Sequence, residues 1–311
     1  MEKFIKCQNN FFYYKLSLDN LWIAFYDYGG LKLINLRSNE ERYLLLRENG
    51  DTYFNTVFSF TADSKEIVVH KYKSNTIIII NLETGSAVRS FNIHNLVDHI
   101  FCLKDLIVLY NKSFFQTFYL YDRHGSCLDT LRIDINDHYT NTTFHLESNQ
   151  ICVSSPNTKI IYKIVDNKFE YVKTLEYSTR CQGFSEDGKH LLLFNDNKGE
   201  IVVKNIDSEY ESSFKFKCID NPDGHIFQKE QYYFISTYSN FYILNTLNKK
   251  IEIIKTSYYA PYNGGDYIVY KKENIYFVYP LETKLKKIIC NLRRDKLEDC
   301  TLYNLIHSFL F

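Results

Sequence analysis

Along the chain, short runs rich in Ile, Val, Leu, Tyr and Phe alternate with clusters of Asn, Asp, Gly, Ser and Lys. Apolar runs of this length between turn residues predict strands joined by hairpins. One stretch is complete. Val57-Phe58-Ser59-Phe60 reads as a strand, Thr61 to Lys65 as a turn and Glu66 to His70 as the next strand. Lys73-Ser74-Asn75 turns the chain again, Thr76 to Leu82 is a third strand, Glu83-Thr84-Gly85 a tight turn, and Ala87 to Phe91 the fourth. The result is a four-stranded antiparallel meander.

The meander recurs. Leu33-Ile34-Asn35-Leu36, Ile79-Ile80-Asn81-Leu82, Leu120-Tyr121-Asp122, Val202-Val203-Lys204-Asn205-Ile206 and Ile243-Leu244-Asn245-Thr246 each end an apolar run on a polar turn. Tyr162-Lys163-Ile164-Val165 and Phe277-Val278-Tyr279-Pro280-Leu281 are weaker copies. With Asn35, Asn81, Asp122, Ile164, Asn205, Asn245 and Pro280 as anchors, the spacings are 46, 41, 42, 41, 40 and 35 residues. Asp63 and Asp187, in a different turn, are 124 apart, as are Asn81 and Asn205. A period of about 41 residues, each a four-stranded unit, predicts an all-β fold: a single seven-bladed β-propeller of four-stranded antiparallel blades over residues 1–294.

Continuous apolar runs predict the inner strands, because stacked blades bury both faces of a strand. They are Leu21 to Tyr26, Asp105 to Tyr110, Ile151 to Ser154, Tyr232 to Ser236 and Asp266 to Tyr270. Two closures of the ring compete. Leu285 to Cys290 can supply the last blade's fourth strand, or Glu2-Lys3-Phe4-Ile5-Lys6 can pack there as an outer strand. The second is slightly favoured. Residues 295–311 are expected to be a helical tail docked on the propeller. Asp295 and Glu298 form a capping box, and Leu297, Leu302, Leu305, Ile306 and Phe309 fall mostly on one side.

Phe184-Ser185-Glu186-Asp187-Gly188-Lys189 and Ile80-Asn81-Leu82-Glu83-Thr84-Gly85 resemble the turns of WD-repeat β-propellers. The resemblance spans most of the chain in rhythm and is specific in two units, at Gly85 and Gly188. The family's Gly-His and Trp-Asp dipeptides are absent, and the one tryptophan, Trp22, stands outside a Trp-Asp position. Its buried Asp-His-Ser-Trp network is therefore not expected.

Composition narrows the function. The 311 residues carry 37 Lys+Arg and 37 Asp+Glu, a balance that disfavours nucleic acid and anionic membranes as partners. No CxxC pair occurs among the eight cysteines, which argues against zinc ribbons and thioredoxin-like chemistry. Most are expected to be small buried residues with free thiols. The first residues lack a signal-peptide pattern and no run of about 18 apolar residues exists, so the expected setting is cytoplasmic.

Catalytic motifs for nucleotide, zinc-hydrolase and serine-hydrolase chemistry are missing, and no cofactor is expected. His94, Asp98 and His99 form a weak metal-site candidate, better read as solvated loop residues. Asp196, Asp220 and Asp223 are scattered candidates for a paired acid/base site in a channel. A stronger pattern is aromatic and basic: Tyr53, Phe54, His138, Tyr139, Tyr177, Arg180, Tyr258 and Tyr259 lie in connections between blades, and Tyr72, Phe114 and Phe115 between second and third strands. Both sets fall on one face, and Tyr, Phe and Arg dominate protein-binding hot spots. The plainer explanation is a chain with 27 Tyr placed everywhere. The expectation is a non-enzymatic scaffold that docks a protein or peptide on that face. The alternatives are a hydrolase or lyase with a carboxylate or histidine site at the channel mouth, and a dedicated neutraliser of a toxin or effector.

Overall fold

The computed structural model describes residues 3–6, 14–19, 21–27, 29–46, 57–112, 116–134, 141–185, 187–195, 200–208, 211–215, 226–229, 232–236, 240–245, 251–255, 267–272 and 275–280. These form strands and turns, with one 3-10 turn at Tyr72–Ser74 and no α-helix among them. No described helix is long and apolar enough to cross a membrane.

Six antiparallel sheets have four strands in sequential order. The first holds β2 (Tyr14–Leu16), β3 (Trp22–Asp27), β4 (Gly30–Asn35) and β5 (Glu41–Leu46). The second holds β6 (Val57–Phe60), β7 (Glu66–Lys71), β8 (Thr76–Asn81) and β9 (Ala87–Asn92). The third holds β10 (His99–Cys102), β11 (Leu106–Asn111), β12 (Gln116–Asp122) and β13 (Cys127–Ile133). The fourth holds β14 (Asn141–His145), β15 (Gln150–Ser154), β16 (Thr158–Val165) and β17 (Lys168–Glu176). The fifth holds β18 (Arg180–Phe184), β19 (His190–Asn195), β20 (Glu200–Asn205) and β21 (Glu211–Lys215). The sixth holds β22 (Ile226–Lys229), β23 (Tyr232–Ser236), β24 (Asn240–Asn245) and β25 (Ile251–Lys255). The seventh sheet joins the two ends of the chain: β1 (Lys3–Lys6) pairs antiparallel with β27 (Ile275–Pro280), which pairs with β26 (Tyr267–Lys272). The N-terminal segment is thus the outer strand there, the closure favoured by sequence. Residues 285–290 and the 295–311 tail lie outside the described residues.

The first four runs read as inner strands are each the second strand of a four-stranded sheet, hydrogen-bonded on both sides, and the fifth falls on β26, which pairs with β27 alone among the described strands. First strands of successive sheets touch one another, β2 with β6, β6 with β10, β14 with β18 and β18 with β22. The apolar core lies in the seams between sheets. Ala24, Leu31 and Leu33 of the first sheet meet Phe58, Ile67 and Val69 of the second. Val68, Ile77 and Ile79 meet Ile100, Ile107 and Leu109 across the next seam. Val108, Phe118 and Leu120 meet Ile151 and Val153, and Cys152 and Ile161 meet Cys181, Leu191 and Leu193. Along β7, Ile67 and Val69 face one seam and Val68 the other, so no polar face remains. Fully burying each such side chain contributes about 1.5–3 kcal/mol.

The repeat seen in the sequence is turn chemistry. Asn35 Oδ1 accepts from the Arg37 and Ser38 amides, Asn81 Oδ1 from Glu83 and Thr84, and Asn205 Oδ1 from Asp207 and Ser208. Asp122 Oδ1 accepts from His124 and Ser126. These Asx turns satisfy amides that a third-to-fourth-strand hairpin leaves free. Burial raises the Asp122 carboxyl pKa, but the Ser126 and His124 donors outweigh it and hold the group below the usual range. At the first-to-second-strand turns, Ser17, Thr61 and Ser185 hydroxyls donate to Asp19, Asp63 and Asp187 at 2.5, 2.7 and 2.6 Å. The fourth sheet breaks the pattern at Ile164: its turn runs through Asp166 and Asn167, both at positive φ.

Candidate docking face

Connections from second to third strand, and from each sheet to the next, leave the sheets at the same end. In the second sheet the chain leaves β7 through the Tyr72–Ser74 turn, which stops where Asn75 takes a left-handed φ of 47°. The Ile93 amide, in the connection to the third sheet, donates to the Asn75 carbonyl at 2.8 Å. The fourth sheet repeats the tie: the Tyr177 amide donates to the Asn157 carbonyl at 2.8 Å. Asp98 continues the network, accepting from the Lys112 amide at 2.6 Å, while Asn111 Nδ2 donates to the Leu96 carbonyl at 2.8 Å. Loops crosslinked through backbone groups hold their side chains in fixed positions.

Of the candidate residues, Tyr72 is exposed on this end at 41%. It stands near His70, whose ring meets it edge-on at 6.3 Å. His70 itself is fully buried, and among the described residues neither its ring nitrogens nor the neighbouring Asn75 Oδ1 makes a hydrogen bond of good geometry. Burial holds the imidazole below the ordinary histidine range, outweighing Asn75 and Asp98, which favour the charged form. Tyr177 lies instead in the seam between the fourth and fifth sheets, half-buried against their core, and its phenol donates to Glu211 Oε2 on β21. Burial and then Glu211 push that phenol's pKa up. Arg180 begins β18, paired with Phe194. Tyr53, Phe54, Phe114, Phe115, His138, Tyr139, Tyr258 and Tyr259 lie outside the described residues, as do Asp196, Asp220 and Asp223.

Sequence reading missed Leu46 and Leu96, exposed at 75% and 49% on the same end as Tyr72. Isolated leucines carry no signal until the fold shows them exposed. It also missed Lys159, which is fully buried. Its ammonium donates to the carbonyls of Ser155 at 2.7 Å, Tyr177 at 2.9 Å and Pro156 at 3.4 Å, pinning two loops of this end together.

The opposite end carries a groove of about 540 Å³ lined by Glu66, Arg89, Asp105, Arg123, His124 and Leu128, among others. Its central charges are spent: Arg123 pairs with Glu66, and the Asp122 carboxylate at its edge is engaged by turn amides. His94 is exposed, Asp98 serves the Lys112 amide and His99 stacks on Tyr110 at 5.8 Å. Among the described residues no three His, Cys, Asp or Glu are grouped as a metal ion would need.

The beta-propeller domain of Cps50 (Swd1) from Myceliophteria thermophila superposes with a TM-score of 0.62, covering 90% of this chain and 100% of that one at 9% identity. The fold is a β-propeller. Hydrazine synthase from Kuenenia stuttgartiensis is similar at a TM-score of 0.61 and 9% identity, over 89% of this chain and 97% of that one. One neighbour is described only as a propeller domain and the other is an enzyme, so the likeness speaks to the propeller alone. No protein-family model and no curated protein sequence matches the chain.

Proposed function

We propose that this chain is a seven-bladed, WD-repeat-like propeller working as a non-enzymatic docking scaffold in a reducing, cytoplasmic setting. The propeller fold and the seam-packed sheets support the ring. The observation that carries the function is the exposed apolar and aromatic side chains on one end, Leu46 at the end of β5 and Tyr72 and Leu96 on loops tied through backbone groups. Rigid display lowers the ordering cost of binding, which suits recognition of a protein or peptide. Free thiols at Cys102, Cys127, Cys152 and Cys181 support the compartment.

The test is an affinity capture from native lysate with three folded forms: wild type, Leu46→Ser/Tyr72→Ala/Leu96→Ser, and an opposite-end control, Arg37→Ala/Lys65→Ala. A stoichiometric protein held by wild type and control but lost from the first variant supports the docking face. Equal capture by all three refutes it. Tyr258→Ala/Tyr259→Ala extends the test to those two candidates.

A further inference from the structure

His70 is a titratable group buried beneath the candidate docking face. It stands near the end of β7, opposite Val57 of β6 and Ile77 of β8. Both belong to the core between the second and third sheets, together with Ile93, Val97, Ile100 and Leu109. Apolar side chains therefore close the inner side of the ring. On its outer side stand the Tyr72 ring, edge-on at 6.3 Å, the Asn75 amide and the Asp98 carboxylate. Among the described residues Asp98 is the one charged group that bears on it. The His99 ring turns to the next seam, where it stacks on Tyr110.

A neutral imidazole carries one donor and one acceptor, and a buried one normally satisfies both. Neither nitrogen of His70 does so with good geometry among the described residues. The loops above it can be built without a histidine. In the fourth sheet the matching position is Ser154, opposite Lys159 as His70 is opposite Ile77, and the Tyr177 amide still ties to Asn157. Protonation turns the ring into a double donor, and a buried charge must find partners. The apolar inner side offers none. Asp98 Oδ2 already accepts from the Lys112 amide at 2.6 Å, and Asn75 Oδ1 lies beside the ring. The imidazolium therefore has to move outward, towards Asp98 or water. Tyr72 and Asn75 stand on that side, and Asn75 both ends the Tyr72–Ser74 turn and holds the Ile93 amide.

We propose that His70 is a proton-operated latch beneath the docking face. Neutral, it lies under the Tyr72–Ser74 turn and leaves the tie between Asn75 and Ile93 closed. Protonated, it moves outward, opens that tie and the Asp98–Lys112 contact, and releases Tyr72 and Leu96 from fixed positions. Burial outweighs Asn75 and Asp98 and holds the folded imidazole below the ordinary histidine range, so the latch is closed at neutral pH and opens in acid. Its consequence for binding rests on the docking reading; the latch itself involves no partner.

The test follows amide hydrogen exchange of the full chain by NMR between about pH 7.5 and 5, expressed as protection relative to the unstructured rate at each pH. On acidification the Ile93 and Lys112 amides are expected to lose about tenfold more protection than the Tyr177 amide, which makes the equivalent tie in blade four. His70→Leu, checked for folding by circular dichroism, is expected to abolish that difference. If the variant unfolds, wild type decides alone, because the midpoint of the Ile93 loss must coincide with the titration of the His70 ring resonances. Equal losses at the three amides overturn the latch, as does a difference that persists in His70→Leu or a midpoint away from the His70 titration. Exchange needs no partner, so the two readings fail separately. A failed capture beside the expected exchange strikes the docking reading alone, and a successful capture beside equal losses strikes the latch alone.

Discussion

The Arg42 guanidinium donates to the Glu83 carbonyl oxygen at 2.8 Å, crossing from the outer strand of blade one to a turn of blade two. The same reach recurs. Arg89 donates to the Arg123 carbonyl at 3.4 Å, and Lys173 to the Ile206 carbonyl at 3.2 Å. Between blades three and four the polarity inverts, with the Phe169 amide donating to Asp129 at 2.8 Å. All four outer-strand residues hold one register, opposite Leu33, Ile79, Leu120 and Ile161 of the third strands. Outer strands bury little apolar surface, so these polar latches fasten the rim of each seam where the core does not reach.

Arg42→Ala is expected to cost about 1 kcal/mol, combining a charge-assisted hydrogen bond with stacking over the Trp22 ring at 5.5 Å. Urea unfolding of wild type and variant measures it. A midpoint unchanged within error would mean that solvent replaces the latch at no cost.

His70 predicts a sensitivity to acid. Its folded-state pKa lies below its unfolded value, so the unfolded chain takes the proton first as pH falls. The stability linked to His70 is intact above about pH 6.5 and declines below it, until the folded histidine titrates in turn. His70→Leu removes this loss and leaves no buried ring nitrogen without a partner. The urea midpoint of wild type is therefore expected to fall more between about pH 7.5 and 5 than that of the variant. Parallel losses in the two proteins would place the acid sensitivity elsewhere.

How much of this was legible depended on whether the physics was local. Asn35, Asn81 and Asn205 announced the period because an Asx turn is made by residues two and three positions away, so the same spacing must reappear in sequence. Ile164 was a poor anchor because its turn is made by backbone conformation at Asp166 and Asn167. Pairings across seams left no such trace. Cys152 and Cys181 sit in different blades, and Lys159 reads like any lysine on a strand until its ammonium is found among carbonyls. Tyr72 and Tyr177 looked alike in sequence, yet one faces outward and the other lies in a seam, a difference set by the neighbouring blade.

Gly85 and Gly188, the two glycines that carried the family resemblance, should not be equally tolerant. Both adopt positive φ, 72° and 69°, where any side chain is strained. A Cβ at Gly85 meets only the end of Arg42 at 3.6 Å, whereas at Gly188 it lands 2.8 Å from His145 Nδ1 and Ser148 Oγ, themselves hydrogen-bonded at 2.7 Å. Gly85→Ala is expected to cost about 1 kcal/mol and Gly188→Ala about 2–3 kcal/mol. Thermal unfolding of the pair ranks them, and the reverse order would show that the His145–Ser148 contact yields easily.

Lys159→Met tests what holds the candidate face in place. The substitution keeps the volume of the side chain and removes the donors to Ser155, Pro156 and Tyr177. Their carbonyls lose a buried partner, and relief from burying an ammonium offsets part of the loss. The net expectation is about 2 kcal/mol of destabilisation. Its distribution is more telling than its size. Hydrogen exchange of the Tyr177 amide, bonded to Asn157, should accelerate beyond the global change, while the Ile93 amide in blade two, bonded to Asn75 without any lysine, should follow the global change alone. Equal acceleration at both amides would mean that Lys159 stabilises the propeller as a whole and does not pin this one pair of loops.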